Sequence, residues 1–112
     1  MSKKRITPEM VLEAYRKTNY IPIQNSFYHN DDDGNCACAI GAIYTMETGE
    51  RNEEDVQNYA NRAFGVRYSH GFIAGFDGLK ADSTTEDDYI DGYYDGETVW
   101  KFIQGGSTNV NT

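Results

Sequence analysis

Apolar positions recur at helical spacing along most of this chain, and the breaks between them divide it into short elements. From Pro8 to Thr18, Val11, Ala14 and Tyr15 fall three and four residues apart, the spacing of one helix face. Thr7 offers an N-cap hydroxyl, Pro8 suits the first helical position, and Glu9 meets the positive end of the helix dipole. Asn19 and Pro22 end that helix. Ile21-Pro22-Ile23 and Ser26-Phe27-Tyr28 read as short extended segments ahead of a turn cluster running from Asn30 to Asn35. The string from Cys36 to Thr48 reads as a buried helix. Ala37, Ala39, Gly41 and Ala42 keep its first turns slim enough for another backbone to approach, and Gly49 ends it. A third helix begins at the cap Asn52, carries Val56, Tyr59, Ala60, Ala63 and Phe64 on one face, and stops at Gly65.

The last third mixes two signals. Ser69 reads as the cap of a short helix bearing Phe72, Ile73 and Phe76, with Gly71 and Gly75 one turn apart. Residues 86–103 place Tyr89, Tyr93 and Trp100 on one helical stripe with Gly96, and Asp88, Asp91 and Asp95 on the opposite face. Four Asp-Gly pairs, beginning at Asp33, Asp77, Asp91 and Asp95, speak instead for hairpins. Two glycines within one helix would also cost about 1 kcal/mol each relative to alanine. The segments GFIAGFDG (71–78) and YIDGYYDG (89–96) echo one another, each ending in Asp-Gly. The expected fold is mainly α, a compact bundle of four or five short helices with a two-stranded element near residues 20–30. The alternative is α+β with a C-terminal hairpin. Residues 1–106 form the expected single domain and 107–112 a flexible tail.

Composition supports a folded core. Of 112 residues only 38% are hydrophobic, but 13% are aromatic, with nine Tyr, five Phe and one Trp, and each ring buries about 150–250 Å². No stretch approaches the roughly 20 apolar residues of a membrane span. The basic start lacks the apolar run of a secretory signal. Cys36 and Cys38 are separated by one residue, too close for an unstrained disulfide, which points to reduced thiols and a cytoplasmic setting. The net charge is −8. Residues 1–22 hold five basic side chains against two acids, while the rest of the chain holds sixteen acids against five bases. Such a body repels nucleic acid and anionic membranes and attracts basic protein surfaces.

Three candidate chemistries can be weighed on their residues. An EF-hand-like alignment of the loop around Gly34 puts Asp31 and Asp33 in ligand positions, but the twelfth position is Ile40 where a bidentate acid is needed. For zinc, Cys36, Cys38, His29 and His70 are available, but a C-x-C spacing sets two thiolates awkwardly for one tetrahedron. A thiol nucleophile at Cys36 or Cys38 would use a helix N-terminus to lower its pKa, His29 or His70 as base, and Gln24 as oxyanion donor. GNCACAIGA has a superficial likeness to the Cys-bearing helix start of papain-type hydrolases. A cysteine flanked by Ala, Ile and Gly is more often a small buried hydrophobe. The expectation is no metal, no cofactor and no catalytic residue.

The segment CACAIGAIY, then a charged helix ending in AFGV, then FIAGFDG, resembles small uncharacterised bacterial and phage proteins that carry a Cys-x-Leu/Ile-Gly-Ala helix. The resemblance covers roughly residues 34–78 and departs from that layout in the Tyr/Gly/Asp-rich C-terminal third. It implies that Cys38, Gly41 and Ala42 are packing residues, and it brings no function with it.

What remains is the acidic run. Between Asp82 and Glu97 there are seven acids and no base. Asp87, Asp88, Asp91, Asp95 and Glu97, with Tyr94 exposed among them, form the expected partner-binding surface. The function expected from this pattern is that of a non-enzymatic acidic interaction protein, a phage-related inhibitor or nucleic-acid mimic that docks on a basic partner surface. A cysteine-dependent hydrolase or transferase using Cys36 or Cys38 is the alternative.

Overall fold

The computed structural model describes residues 5–31, 34–81, 83 and 86–109. Among them are five helices and a three-stranded sheet, a mainly α fold. Helix α1 (Pro8–Thr18) starts where its local signals put it: the Thr7 side chain accepts from the Met10 amide, and Asn19 closes the helix in the left-handed conformation. The extended region is larger than two strands. Strand β1 (Ile21–Pro22), β2 (Tyr28–Asp31) and β3 (Gly34–Ala37) form a sheet of order β1-β3-β2, with β3 central, parallel to β1 and antiparallel to β2.

The expected helix start at Cys36 is therefore displaced. Cys36 and Ala37 belong to a strand whose backbone groups are claimed from both sides. Ala37 O also accepts the Tyr15 hydroxyl at 2.8 Å, and the Cys38 amide donates to Phe27 O. Helix α2 (Ala39–Thr48) begins one turn later, with Cys38 as its N-cap and the thiol accepting from the Gly41 amide. Its first six residues, Ala39 to Tyr44, are all buried. A Cβ on Gly41 would stand 2.5 Å from Phe27 O, so the slim start of α2 is filled by the β1–β2 loop.

Helix α3 (Glu53–Phe64), capped by Asn52, and α4 (Val66–Phe76) meet at one residue, Gly65, whose φ of 99° turns the chain between them. Ser69 is thus not a cap. It lies inside α4, fully buried, and its hydroxyl donates to Ala60 O on α3. Helix α5 (Asp87–Asn109) is continuous across both Asp-Gly pairs, so the C-terminal hairpin does not form. It runs into the expected tail, of which residues 110–112 lie outside the described residues.

Helices α4 and α5 lie parallel and closer than side chains would allow. A Cβ on Gly71 would collide with Tyr89 O, one on Gly75 with Tyr93 O, one on Gly92 with Tyr68 O and one on Gly96 with Phe72 O. Each backbone fills the glycine gaps of the other, the close approach that small-xxx-small spacing permits. The echo in the sequence therefore has a different register from the one its Asp-Gly ends suggest. YSHGFIAG (68–75) matches YIDGYYDG (89–96), and each glycine of one copy meets the backbone of an aromatic residue in the other. From Phe64 at the end of α3, the rings of Tyr68, Phe72 and Phe76 continue along the inner side of α4, ending edge-on against Trp100 at 5.1 Å. Val11, Ala14, Ile40, Ile43, Val56 and Val99 complete the core.

Candidate functional site

The glycines of α5 determine which of its residues meet solvent. Tyr89, Gly92, Gly96 and Val99 are buried, so the residues between them divide into two flanks and an outer face. Asp87 and Asp88 are exposed in the first turn, where acids also stabilise the positive helix end. Tyr94 is 64% exposed on the outer face, as the sequence pattern leads one to expect, with Ile90 one turn before it also exposed.

Asp91 and Asp95 form one flank, and neither is a free surface acid. Arg5 makes a two-point contact with Asp95, Nε at 2.9 Å and Nη2 at 3.0 Å, and lies 3.7 Å from Asp91. The Tyr68 hydroxyl donates to the same Asp95 carboxylate and accepts the Ile6 amide at 2.8 Å. The Asp95 side chain is only 14% exposed. Burial and the neighbouring Asp95 carboxylate both push the Tyr68 phenol well above its usual range. Asp95 thus ties the N-terminal segment to α4 and α5. Asp95 therefore does not share a solvated face with Asp88 and Asp91 opposite the packing stripe, as its spacing suggests.

The other flank carries a groove of about 240 Å³ lined by Ala81, Tyr89, Ile90, Tyr93, Tyr94 and Glu97. Tyr93 is held as a wall by donating its hydroxyl to Leu79 O. Arg67 places its guanidinium 5.3 Å from the ring centre of Tyr89, one of the lining residues. Its Nε lies 3.0 Å from Glu86, close enough for an ion pair though not aligned as a hydrogen bond. The acids and the aromatics of residues 82–97 are thus brought together on one helix, but Glu97 and Tyr94 stand on the groove side and Asp91 and Asp95 on the Arg5 side. Sequence reasoning missed the Arg5 tether, because Arg5 lies 90 residues from Asp95, and it missed the groove, because that depends on how Leu79 and Ala81 fold back against α5.

The cysteines occupy a different region. Cys38 borders a cavity of about 380 Å³ with Asn25, Phe27, Glu53, Ile73 and Asp77. Burial pushes its thiol up to about 12, which outweighs the Gly41 amide that favours the thiolate. Burial also raises the Asp77 carboxyl, which accepts the Asn25 amide at 2.8 Å. His29 lies opposite Cys36 across the β2–β3 pair but is exposed while Cys36 is buried. His70 is exposed on α4, and neither histidine lines the Cys38 cavity. The Gln24 side-chain amide donates to Phe76 O at the end of α4 and is not among the residues lining the Cys38 cavity. Among the described residues no group of three or more His, Cys, Asp or Glu side chains is arranged to hold a metal ion. Asp32 and Asp33 of the acidic turn lie outside the described residues. Neither cysteine is in a disulfide, and no described helix is long and apolar enough to cross a membrane.

Comparison with protein-family models, with curated proteins and with solved structures finds no match of any of the three kinds.

Proposed function

We propose that this chain is a non-enzymatic interaction protein that docks the outer face of α5 on a basic partner surface, in the manner of proteins that imitate the charge of nucleic acid. One observation carries the reading. On the side of α5 away from the glycine seam, Ile90, Tyr94 and Phe102 are exposed, with Asp87 and Glu97 beside them. The first base along the helix is Lys101. Acids of one sign raise the encounter rate with a basic surface, and desolvated aromatics supply short-range contact. The thiol alternative receives less support, since a buried, protonated Cys38 is a poor nucleophile.

The test uses acids outside the Arg5–Asp95–Tyr68 contact. Asp87→Lys, Asp88→Lys and Glu97→Lys are combined, and association with a basic partner recovered at low salt is timed. The reversal should slow the on-rate by about tenfold or more at low ionic strength and flatten its salt dependence. An equal charge change at Glu9, Glu47 and Glu54 should have a much smaller effect. Equal slowing by both sets would mean that net charge alone acts, and the α5 face would lose its role.

A further inference from the structure

We infer that the groove beside α5 is the seat of an arginine side chain presented by the partner. This rests on α5 being the docking face and adds the chemistry of its central contact. The walls are aromatic and aliphatic, from Tyr89, Ile90, Tyr93 and Tyr94, and a carboxylate, Glu97, stands at the edge. Among the described residues no cation lies within ion-pair distance of Glu97. Lys101, one turn along α5, and Lys80, beside Ala81, are the nearest bases in sequence, against Asp87 and Asp91 on the helix itself. Glu86 is near but pairs with Arg67.

Three occupants fit the size of the groove, and the chemistry separates them. An aliphatic side chain would use the walls and cover Glu97 without pairing it, which leaves a desolvated charge uncompensated. A lysine would bring the charge, but its ammonium is compact and strongly hydrated and has no flat face to lay on a ring. A guanidinium is planar and weakly hydrated. It can stack on a tyrosine while donating two parallel hydrogen bonds to a carboxylate. This chain already lays guanidinium groups over tyrosine rings within itself. Arg67 lies over Tyr89 with Glu86 beside it, and Arg51 lies 5.4 Å from the Tyr20 ring centre and 5.0 Å from that of Tyr28. Tyr94 and Glu97 repeat the aromatic–carboxylate combination without a guanidinium from the described residues.

Three blocked nonapeptides serve as probes, identical except for a central arginine, lysine or norleucine, each flanked by four lysines. Binding to the full chain is followed by NMR titration at low salt. The arginine peptide should bind about tenfold more tightly than the lysine peptide of equal charge. Its largest shifts should fall on Tyr94 and Glu97. Glu97→Gln and Tyr94→Leu, both at solvent-accessible positions, should each bring the two affinities close together while weak, salt-sensitive binding persists. Equal affinities for arginine and lysine in the wild type would overturn the inference, as would a norleucine peptide that binds as tightly as arginine. Arginine preference that survives both substitutions would place the anchor elsewhere and also overturn it. Docking through the acids would stand in each of those cases, because it is lost only if reversing Asp87, Asp88 and Glu97 has no more effect on association than the control set. If none of the peptides binds while a basic protein partner still does, the arginine seat is wrong and the docking face remains.

Discussion

Cys38 is subject to two opposed influences. Its sulfur sits at the start of α2, where amides and the helix dipole favour a thiolate by about 0.3–1 kcal/mol at an exposed site. It is also nearly fully buried, 6% exposed, with the Asp77 carboxylate close enough to repel negative charge. Burial prevails, and the thiol is held near 12. Native protein at pH 7.5 should therefore react with iodoacetamide at Cys38 far more slowly than a free thiol, and Cys36, 1% exposed, should be equally protected. Both should label promptly on unfolding. Rapid labelling of the folded chain, read by mass, would return the thiol-nucleophile reading to consideration. The flanking sequence of small apolar residues made the buried-hydrophobe reading legible. The identity of the cavity neighbours was not, since Asp77 comes from the far end of α4.

At the scale of elements, what could be read depended on where each signal resides. The first and third helices carry their own caps, Thr7 and Asn52, and a local apolar stripe, so both bounds followed from adjacent residues. Strand β3 did not, because Cys36-Ala37 is a strand only while β1 and β2 claim it from both sides. The start of α4 was hidden for a related reason. Gly65 ends one helix and begins the next with no side-chain cap to mark the change. The glycines of α4 and α5 explain why Asp-Gly misleads here: they serve backbone contact between helices, not turns. Gly92→Ala tests this directly, because two effects oppose one another. Helix propensity favours alanine by about 1 kcal/mol, but the new Cβ would collide with Tyr68 O, a backbone atom that cannot swing aside. Overpacking costs about 1–3 kcal/mol and more where the obstacle is rigid. The variant should be destabilised by about 2 kcal/mol or more in urea unfolding. A more stable variant would mean the helices are not in contact there.

Over the whole molecule, charge divides between holding the fold and facing outward. The basic N-terminus and acidic remainder were plain from the sequence, and the structure joins them through Arg5 and Asp95. The seven-acid run was equally plain, but nothing local told apart the acids that hold the fold from those that face outward. Asp95→Asn should destabilise the protein by about 1–2 kcal/mol. It removes a charged acceptor from the part-buried Tyr68 hydroxyl and from Arg5, the latter discounted because it is half exposed. Asp88→Asn, at an exposed position, should stay within about 0.5 kcal/mol. Paired denaturation curves at low salt check both, and equal stabilities would release Asp95 to the docking surface.

The glycine seam also governs what association through α5 would cost. With carbonyls of each helix lodged in the glycine gaps of the other, α5 has little freedom to slide or roll on α4. A partner meeting its outer face therefore encounters a backbone already fixed in place. The ordering penalty of association then falls mainly on exposed side chains such as Tyr94, at about 0.5–1.5 kcal/mol for each one immobilised. Two backbones packed without intervening side chains thus make α5 a rigid shelf, preorganised for contact before any partner arrives.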